Sequence, residues 1–548
     1  MAFMLSARSA FPSAGRKAGM ALLRGATCAL LLQAVATFAP TDARAESVLR
    51  YAASAEPRTL DSIVNWLSIT HQHSYLVYDT LFSLDATLTP QPQMVESVEK
   101  TSAGQGTRWL MTLRPGLAFH DGRPVAAQDA VASIQRWAKR DVSGRKLVEL
   151  GMALEVVDER RFAVSLSVDT PLLIESFAKP TATGLFIMRA EEAATDPMTP
   201  VKETIGSGPF RFDRAAYRPG DRMIYRRNAE YRPREEPPSN FAGGKVVRID
   251  RLEWLVLPDS ASAVAALQSG ELDIYETPPL DLLPVLDRNK EVRVAVHGKQ
   301  GQFGFLRPNH TQPPFDKPEA RRALALLTDQ REFMAITAGS DGKYWRECYS
   351  FLSCGGLNEN QAGGEWMRGA RVEEAKRLFQ QAGYAGQPIV VIAPGDNEII
   401  KGFGTLAAER MRAAGLSVDL QYMDFASMMS RRNRREAPQA GGWNIFPMWS
   451  YGFELDNPIA NVALSASCTD GSYAGWACSP RIEELKNAWA RESDPGRRKA
   501  LIAELQQEAS ALVPIVPVGQ FFAPIAYRTN VVNFLETPVP VFWNVEKK

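Results

Sequence analysis

The most informative stretch of this chain is LRPGLAFHDGRPVAAQDAVASIQR, residues 113–136. It continues an aromatic and branched run that begins at Trp109 and is typical of a β-strand. The dipeptides Pro-Gly at 115–116 and Asp-Gly at 121–122 indicate turns, because proline presets φ and glycine accepts a positive φ. From Ala127 onward apolar residues recur at helical spacing. The stretch therefore predicts a strand, two turns and a helix, and it carries no catalytic signature.

Length and composition restrict the class of protein. The chain has 548 residues, of which 45% are hydrophobic and 23% charged, as in ordinary globular proteins. This length exceeds a single hydrophobic core, so two or three lobes are expected. The net charge of +1 gives no electrostatic footprint for a nucleic-acid partner.

The N-terminus has the features of a secretory signal. Basic residues come first, at Arg8, Arg16, Lys17 and Arg24. An apolar run over 26–39 follows and is too short to span a bilayer. The small-x-small tripeptide at 43–45 predicts cleavage before Glu46, which places the mature protein in the periplasm. Cys28 offers lipidation as an alternative, but the residues before it form a poor lipobox.

Four cysteines remain in the predicted mature chain, and they are Cys348, Cys354, Cys468 and Cys478. An even number in an exported protein indicates two disulfides. Three pairings are possible, and the local one, Cys348 with Cys354 and Cys468 with Cys478, is our prediction. A zinc site is the alternative, but no Cys-x-x-Cys spacing occurs and no histidine lies within ten residues of the four.

The stretch 113–136 closely resembles the pattern LRxGxxFHDGxPxxAxDVxxSxxR of the family 5 extracellular solute-binding proteins. These proteins are the periplasmic receptors of peptide, oligopeptide and nickel ABC importers. Further strings that resemble the family occur in compatible order at 56–61, 205–212, 228–231 and 313–327. The resemblance thus runs from about residue 50 to beyond residue 330.

The resemblance implies an α/β fold of the type II periplasmic-binding-protein kind, with three lobes and a ligand cleft between the two large ones. The expected first lobe is discontinuous and comprises residues 46–80, 205–295 and 500–548. The expected second lobe is 81–204, and the third is 296–499. Crossings between the large lobes are expected near residues 275–300 and 500–515, where a hinge motion would close on the ligand.

In relatives the loop after the first strand lines the cleft, which makes Asn65, Trp66 and Ser68 candidate ligand contacts. Trp66 would cover a ligand, or it packs within its lobe. The segment WNIFPMWSYGFELDNP, residues 443–458, resembles the family pattern GWxxDxxDPxxF. In that pattern an aspartate three residues after the tryptophan pairs with the α-amine of a peptide.

This chain departs from that pattern, because Gly452 stands at the place of the aspartate. Glu454 or Asp456 would supply the charge from a longer loop, or no amine is bound. A buried carboxylate suits an ammonium group, since a charge-assisted hydrogen bond offsets the cost of desolvation. Trp449 and Tyr451 are candidates for packing on the ligand, and simple core packing is the alternative.

Other motifs favour structural interpretations. His71 and His73 invite a metal site, but residues at i and i+2 of a helix point to different faces, so a surface or structural role is expected. Residues 402–407 imitate a dinucleotide fingerprint, with Asp424 as its acid. Eight residues separate those glycines from the preceding strand, and a plain βαβ unit is expected instead. The run of arginines in 431–435 predicts a solvated face.

The sequence therefore predicts the solute-binding component of an ABC importer, binding oligopeptides or peptide-like solutes by hinge closure. Its expected partners are a small solute and a membrane permease, and it is expected to act as a monomer without cofactor or metal. An alternative is the same role for an opine, a sugar conjugate or a metal chelate. An exported hydrolase is a remote alternative, because no nucleophile constellation or G-x-S-x-G motif is present.

Overall fold

The fold is built on three larger β-sheets, of seven, six and four strands. The computed structural model describes residues 46–65, 67–104, 106–180, 183–469 and 471–548. The predicted export signal, residues 1–45, and the candidate Trp66 lie outside these ranges. Residues from Glu46 to Lys548 form a single unit, within which each large sheet defines a lobe. The fold is α/β, as predicted.

The first sheet defines lobe I and gathers strands from both ends of the described chain. Its seven strands are, in spatial order, Val292–Val296, Pro524–Arg528, Ile274–Tyr275, Val48–Ala52, Arg251–Leu255, Arg222–Arg227 and Phe210–Phe212. The opening strand pairs in parallel with both of its neighbours, which come more than 200 residues later. Leu49, Tyr51 and Ala52 of this strand are buried. Because both of its neighbours come from distant parts of the chain, this lobe forms only when those segments meet.

The second sheet defines lobe II and is antiparallel. Its four strands are, in spatial order, Val95–Ala103, Gly106–Leu113, Arg161–Leu166 and Ala153–Val156. Helix Ala127–Ala138 packs against it. The strand, turns and helix predicted for 113–136 are confirmed, because Gly116 and Gly122 take φ values of 73° and 87°.

The third sheet defines lobe III. Its six strands are, in spatial order, Trp345–Arg346, Val516–Phe521, Gln302–Pro308, Ile445–Tyr451, Ile389–Pro394 and Val418–Met423. The last two are parallel and flank helix Glu398–Ala413, which confirms the predicted βαβ unit. Gly404 lies inside that helix, where an added Cβ would come 2.8 Å from Ala393 Cβ. That glycine therefore allows close packing of helix on sheet rather than a phosphate-binding turn.

The remaining strands form two antiparallel two-stranded sheets, Phe82–Leu84 with Pro90–Pro92 and Val531–Val532 with Glu546–Lys547. The other helices are Ser68–Val77, Val142–Glu149, Leu172–Ala178, Ala190–Ala193, Ser260–Ser269, Leu283–Asp287, Pro318–Leu326, Gln330–Ala338, Val372–Gln381, Phe425–Arg431, Gly452–Leu455, Pro480–Arg491 and Pro495–Leu512. Among the described residues, no helix has the length and apolarity needed to cross a bilayer.

The chain passes between the large lobes twice. It leaves the first sheet after Val292–Val296 and enters the third at Gln302–Pro308, close to the first predicted crossing. It returns between Val516–Phe521 and Pro524–Arg528, which is later than the predicted 500–515. Residues 500–521 therefore belong with lobe III, because strand Val516–Phe521 pairs with Gln302–Pro308. With that shift, the lobe boundaries stay our proposal.

Both disulfides join neighbouring cysteines. The Sγ atoms of Cys348 and Cys354 lie 2.07 Å apart, and those of Cys468 and Cys478 lie 2.15 Å apart. This is the local pairing predicted from the sequence. Each bridge closes a loop within lobe III.

Candidate ligand-binding cleft

A cavity of about 410 Å³ lies where the three lobes meet. Lobe I contributes Leu67 and Ser68, at the start of helix Ser68–Val77. Lobe III contributes the end of strand Ile445–Tyr451 and the short helix that follows it. The volume falls within the range of roughly 300–1,000 Å³ that is usual for small-molecule sites.

The structure brings together four of the seven candidates predicted from the sequence. Ser68, Trp449, Tyr451 and Glu454 all line this cavity. Among the described lining residues Asn65 is absent, and its Oδ1 accepts the backbone N–H of Leu67 at 3.1 Å. Asn65 therefore shapes the loop beside the cavity. Asp456 faces elsewhere, as described below.

Trp449 and Tyr451 form an aromatic wall. Side chains at i and i+2 of a strand share a face, so both rings project from the same side of strand Ile445–Tyr451. Their centroids are 5.2 Å apart in an edge-to-face arrangement, and Trp449 also meets Phe521 at 6.2 Å. Trp449 is only half-buried, which leaves part of its ring available to a bound molecule.

One hydrogen bond joins the two large lobes across the cavity. The Tyr451 hydroxyl of lobe III donates to Ser68 Oγ of lobe I at 2.9 Å. Burial raises the pKa of Tyr451, with smaller contributions from nearby carboxylates. The phenol therefore stays protonated and remains a donor at every physiological pH.

Gly452 has no room for any side chain. A Cβ at this position would lie 2.2 Å from the backbone oxygen of Gln300, and the Gly452 N–H donates to the oxygen of Gly301 at 2.8 Å. An aspartate at 452 is incompatible with this backbone. The departure from the family pattern thus follows from close packing of Gly452 on the segment that links strands Val292–Val296 and Gln302–Pro308.

The two carboxylates that follow have different surroundings. Glu454 lines the cavity, whereas Asp456 lines a second cavity of about 500 Å³ beyond helix Gly452–Leu455. The Asp456 carboxylate accepts the backbone N–H groups of Leu357 at 3.3 Å and Asn358 at 3.0 Å. Burial raises the pKa of Asp456 to about 6, against the lowering effect of these two bonds. Asp456 therefore anchors the adjacent loop.

Lobe II supplies a wall that the sequence reasoning missed. The lining residues from this lobe are Arg140, Asp141, Val142, Arg145, Lys179 and Thr183. Asp141 caps helix Val142–Glu149 by accepting the Gly144 N–H at 3.0 Å. Its other oxygen accepts hydrogen bonds from Lys179 Nζ and Thr183 Oγ1. No local pattern in the sequence marks these residues, because only the apposition of lobes brings them to the cavity.

Asn397, Ile400 and Phe425 also line the cavity and were missed. They follow the carboxyl ends of parallel strands Ile389–Pro394 and Val418–Met423. Ligands of open α/β sheets bind outside the carboxyl ends of such strands. The predicted βαβ unit therefore held a usable signal for this part of the site.

The histidine pair outside the cavity is structural. His71 and His73 are both buried within helix Ser68–Val77. His73 Nδ1 lies 2.9 Å from the Tyr225 hydroxyl, and burial lowers the pKa of His73 to about 3. Throughout the described part of the chain, no group of three or more His, Cys, Asp or Glu side chains is arranged to hold a metal ion.

A protein-family model and a related protein both match most of this chain. The sequence model for the bacterial extracellular solute-binding proteins, family 5 Middle, matches residues 89–473. A protein of Sinorhizobium fredii named "Probable peptide ABC transporter periplasmic-binding protein y4tO" is 34% identical over 490 residues, which cover 89% of this chain and 91% of that protein.

Solved structures share the fold at lower sequence identity. A dipeptide-binding protein from Pseudoalteromonas sp. SM9913, in complex with Met-Leu, superposes with a TM-score of 0.75 at 17% identity, covering 91% of this chain and 100% of the other. The binding protein AgaA from A. tumefaciens R10, in complex with agropinic acid, gives a TM-score of 0.74 at 21% identity, covering 91% and 99%. Both confirm the expected periplasmic-binding-protein architecture.

Proposed function

Because the chain belongs to the bacterial extracellular solute-binding proteins of family 5, we propose that it is the receptor of an ABC importer for peptide-like solutes. The relative from Sinorhizobium fredii, named for peptide transport, supports a peptide ligand. The observation that carries the proposal is the cavity of about 410 Å³ lined by all three lobes. In this proposal the cavity holds a small solute, which the receptor delivers unaltered.

The receptor acts outside the cytoplasmic membrane. Relatives of this chain are named as periplasmic-binding proteins, and the N-terminal signal predicted over 1–45 supports export to the periplasm. Its partners are the solute and a membrane permease, which it meets as a monomer. Two disulfides suit an oxidising compartment.

Hinge motion between the large lobes is the working step. The two crossings, after Val292–Val296 and after Val516–Phe521, are the places where φ and ψ changes rotate lobe I against lobe III. The bond from Tyr451 to Ser68 forms or breaks with that rotation, because its two ends lie on different lobes. Closure presents a surface that the permease recognises, and opening releases the solute.

We assign the contact with a ligand amine to Glu454. Glu454 lines the cavity close to Tyr451, while Gly452 is closed to any side chain. Asp456 is the weaker candidate, since its oxygens bind the backbone of Leu357 and Asn358. Trp449 packs on the apolar part of the solute.

The peptide class is preferred over an opine, a sugar conjugate or a metal chelate. The relative that shares 34% of its residues carries a peptide-transport name. The agropinic-acid complex shares only the fold, at 21% identity. The family is described by solute binding, which favours the receptor role over the hydrolase alternative.

A thermal-shift screen tests the proposal. Purified protein is heated with pools of dipeptides and tripeptides, and separately with opines, sugar conjugates and nickel–histidine. A ligand that binds only the folded state raises the melting temperature, by an amount that grows with its concentration over Kd. Stabilisation by a peptide pool supports the proposal, and stabilisation by the other solutes alone contradicts it.

Two carboxamide variants then locate the amine contact. Glu454→Gln should weaken binding of the best peptide about tenfold or more, the value of one lost charge-assisted hydrogen bond. Asp456→Asn, which makes the same chemical change in the other cavity, should leave the affinity unchanged. The reverse pattern would assign the amine to Asp456.

A further inference from the structure

The lobe II wall gives the cavity an excess of positive charge. Three cations line it, Arg140, Arg145 and Lys179, against two carboxylates, Asp141 and Glu454. All of the cations and Asp141 come from lobe II, and Glu454 comes from lobe III. The cationic side chains of the cavity therefore all lie on its lobe II wall.

Lys179 and Asp141 neutralise each other. Both side chains are buried, and the Lys179 ammonium donates to Asp141 Oδ2. Thr183 Oγ1 donates to the same oxygen, and the Gly144 N–H satisfies the other one. Because the two charges bond each other and both oxygens of Asp141 already accept hydrogen bonds, neither charge is available to a ligand.

Arg145 is in a different position. Its side chain is exposed, and its Nη1 donates to the backbone oxygen of Arg140 at 2.8 Å. Within the described residues it forms no ion pair with any carboxylate. A guanidinium has five N–H donors in a planar fork, so most of that fork remains open at the cavity wall.

The position of Arg145 in its helix strengthens this point. Arg145 lies in the first turn of helix Val142–Glu149, which Asp141 caps. The positive end of the helix dipole disfavours a cation there and favours an anion. With the Asp141 charge taken by Lys179, the guanidinium and the helix end attract the same kind of partner.

We propose that Arg145 holds a free carboxylate of the ligand and thereby determines specificity. This inference rests on the proposed receptor function and deepens it. The solute class is a short peptide-like molecule that carries a carboxylate, because planar bidentate recognition of a carboxylate is the chemistry that arginine serves best. The cavity of about 410 Å³ lies near the lower end of the usual range of roughly 300–1,000 Å³, which favours a short ligand.

The two charged walls then fix the direction of the ligand. An amine faces Glu454 on lobe III, and the carboxylate faces Arg145 on lobe II. A zwitterion meets both walls at once, whereas a peptide with a blocked C-terminus loses one of them. Lobe II thus takes part in choosing the solute, beyond its role as a support for the two large lobes.

Native mass spectrometry with matched peptide pools tests this inference. Wild-type protein and Arg145→Gln are each incubated with an equimolar tripeptide pool and with the same pool amidated at the C-terminus. The wild type should retain the free acids at least about tenfold better than the amides, which is the usual value of one charge-assisted contact. Arg145→Gln should lose that preference while still binding the amides as the wild type does.

Three further measurements test which carboxylate of the ligand is bound and whether the guanidinium group of Arg145 binds it. Amidated peptides with a glutamate side chain show whether a side-chain carboxylate can replace the C-terminal one. Arg145→Lys, which keeps the charge but loses the fork, should recover part of the preference. Arg108→Gln is the matched control, because Arg108 pairs with Glu155 at 2.9 Å on lobe II outside the cavity lining.

Equal retention of acids and amides by the wild type, or a preference that persists in Arg145→Gln, would overturn the assignment of Arg145. Those results would leave the receptor function standing, since peptides would still bind. Retention of neither pool would instead contradict the proposed function, and with it this inference.

Discussion

Arg136 donates to both carboxylate oxygens of Asp61, at 3.2 and 2.8 Å, and both side chains are about 1% exposed. Asp61 ends the string EPRTLD at 56–61, and Arg136 ends the stretch 113–136. The ion pair therefore joins two segments, 56–61 and 113–136, that each resemble the family pattern. The remaining hydrogen-bonding groups are also used, because Asp61 accepts the N–H of Val201 and Arg136 donates to Thr199 O.

We expect removal of one partner to destabilise the protein strongly. Arg136→Met leaves the Asp61 charge buried without its cation, a change that costs about 3–5 kcal/mol in comparable buried pairs. Urea unfolding at pH 7 measures the free energy of unfolding. Arg108→Met is the control, since its partner Glu155 is largely exposed and such pairs contribute about 1 kcal/mol or less. Equal losses in the two variants would contradict the importance of the buried pair.

Trp449→Ala should weaken solute binding without unfolding the protein. Its ring lines the cavity and is half-buried, so truncation removes ligand contact while the core stays intact. We expect a loss of affinity of about tenfold, measured by isothermal titration with the best peptide from the screen. Trp366→Ala is the matched control, because Trp366 is also half-buried and bonds Ser510 outside the cavity lining. If Trp449→Ala bound the peptide with unchanged affinity, the ligand would not bind against Trp449 in this cavity, and our placement of the site would be wrong.

Mild acid should destabilise the protein through its buried histidines. Burial lowers the pKa of His73 to about 3 and those of His120 and His297 to about 4. Above pH 6.5 these groups are neutral in both states and contribute nothing to pH dependence. Below pH 6.5 the unfolded chain binds protons that the folded chain does not, so stability falls by about 1.4 kcal/mol per pH unit for each group.

Urea unfolding at pH 7.5, 6 and 5 measures this trend. Asp456 opposes it, since its pKa is raised to about 6 and its folded form gains protons first as the pH falls. Burial lowers the pKa of His310 as well, so four histidines act against one carboxylate and stability falls toward acid. His297→Phe should flatten the pH dependence, because His297 packs against Tyr527 and Phe534 at ring distances of 6.0 and 4.8 Å. A pH dependence as steep as that of the wild type would rule His297 out as a source.

The disulfide between Cys348 and Cys354 should matter for binding as well as for stability. Its loop holds the site segment, because Ser353 Oγ donates to the backbone oxygen of Gly452 at 3.0 Å. Serine at both cysteines should lower the free energy of unfolding by about 2 kcal/mol through loop entropy. It should also weaken peptide binding, since Gly452 loses its support.

The second bridge provides the control for that variant. Serines at Cys468 and Cys478 should cost a similar amount of stability, because that loop is also short. Peptide affinity should stay the same, since those cysteines lie outside the cavity lining. If the two double variants changed peptide affinity equally, the loop closed by Cys348 and Cys354 would have no specific role in supporting the binding site.

The sequence by itself determined the local elements and the architecture. Turn dipeptides and helical spacing decided the stretch 113–136 and the βαβ unit at 389–423, whereas the local disulfides were one of three pairings that the sequence allowed. These features depend on residues close together in the chain, where backbone geometry and side-chain periodicity act directly. The aromatic wall at Trp449 and Tyr451 belongs to the same class, since both residues sit on one strand.

Only the tertiary structure decided which charges meet in the cleft. Arg145 and Glu454 are more than 300 residues apart, and no periodicity relates them. The steric closure at Gly452 comes from Gln300 in the segment between lobes I and III, and the separation of Asp456 from the cavity depends on the direction of one short helix. These outcomes follow from the packing of whole lobes, which joins surfaces that the chain visits far apart.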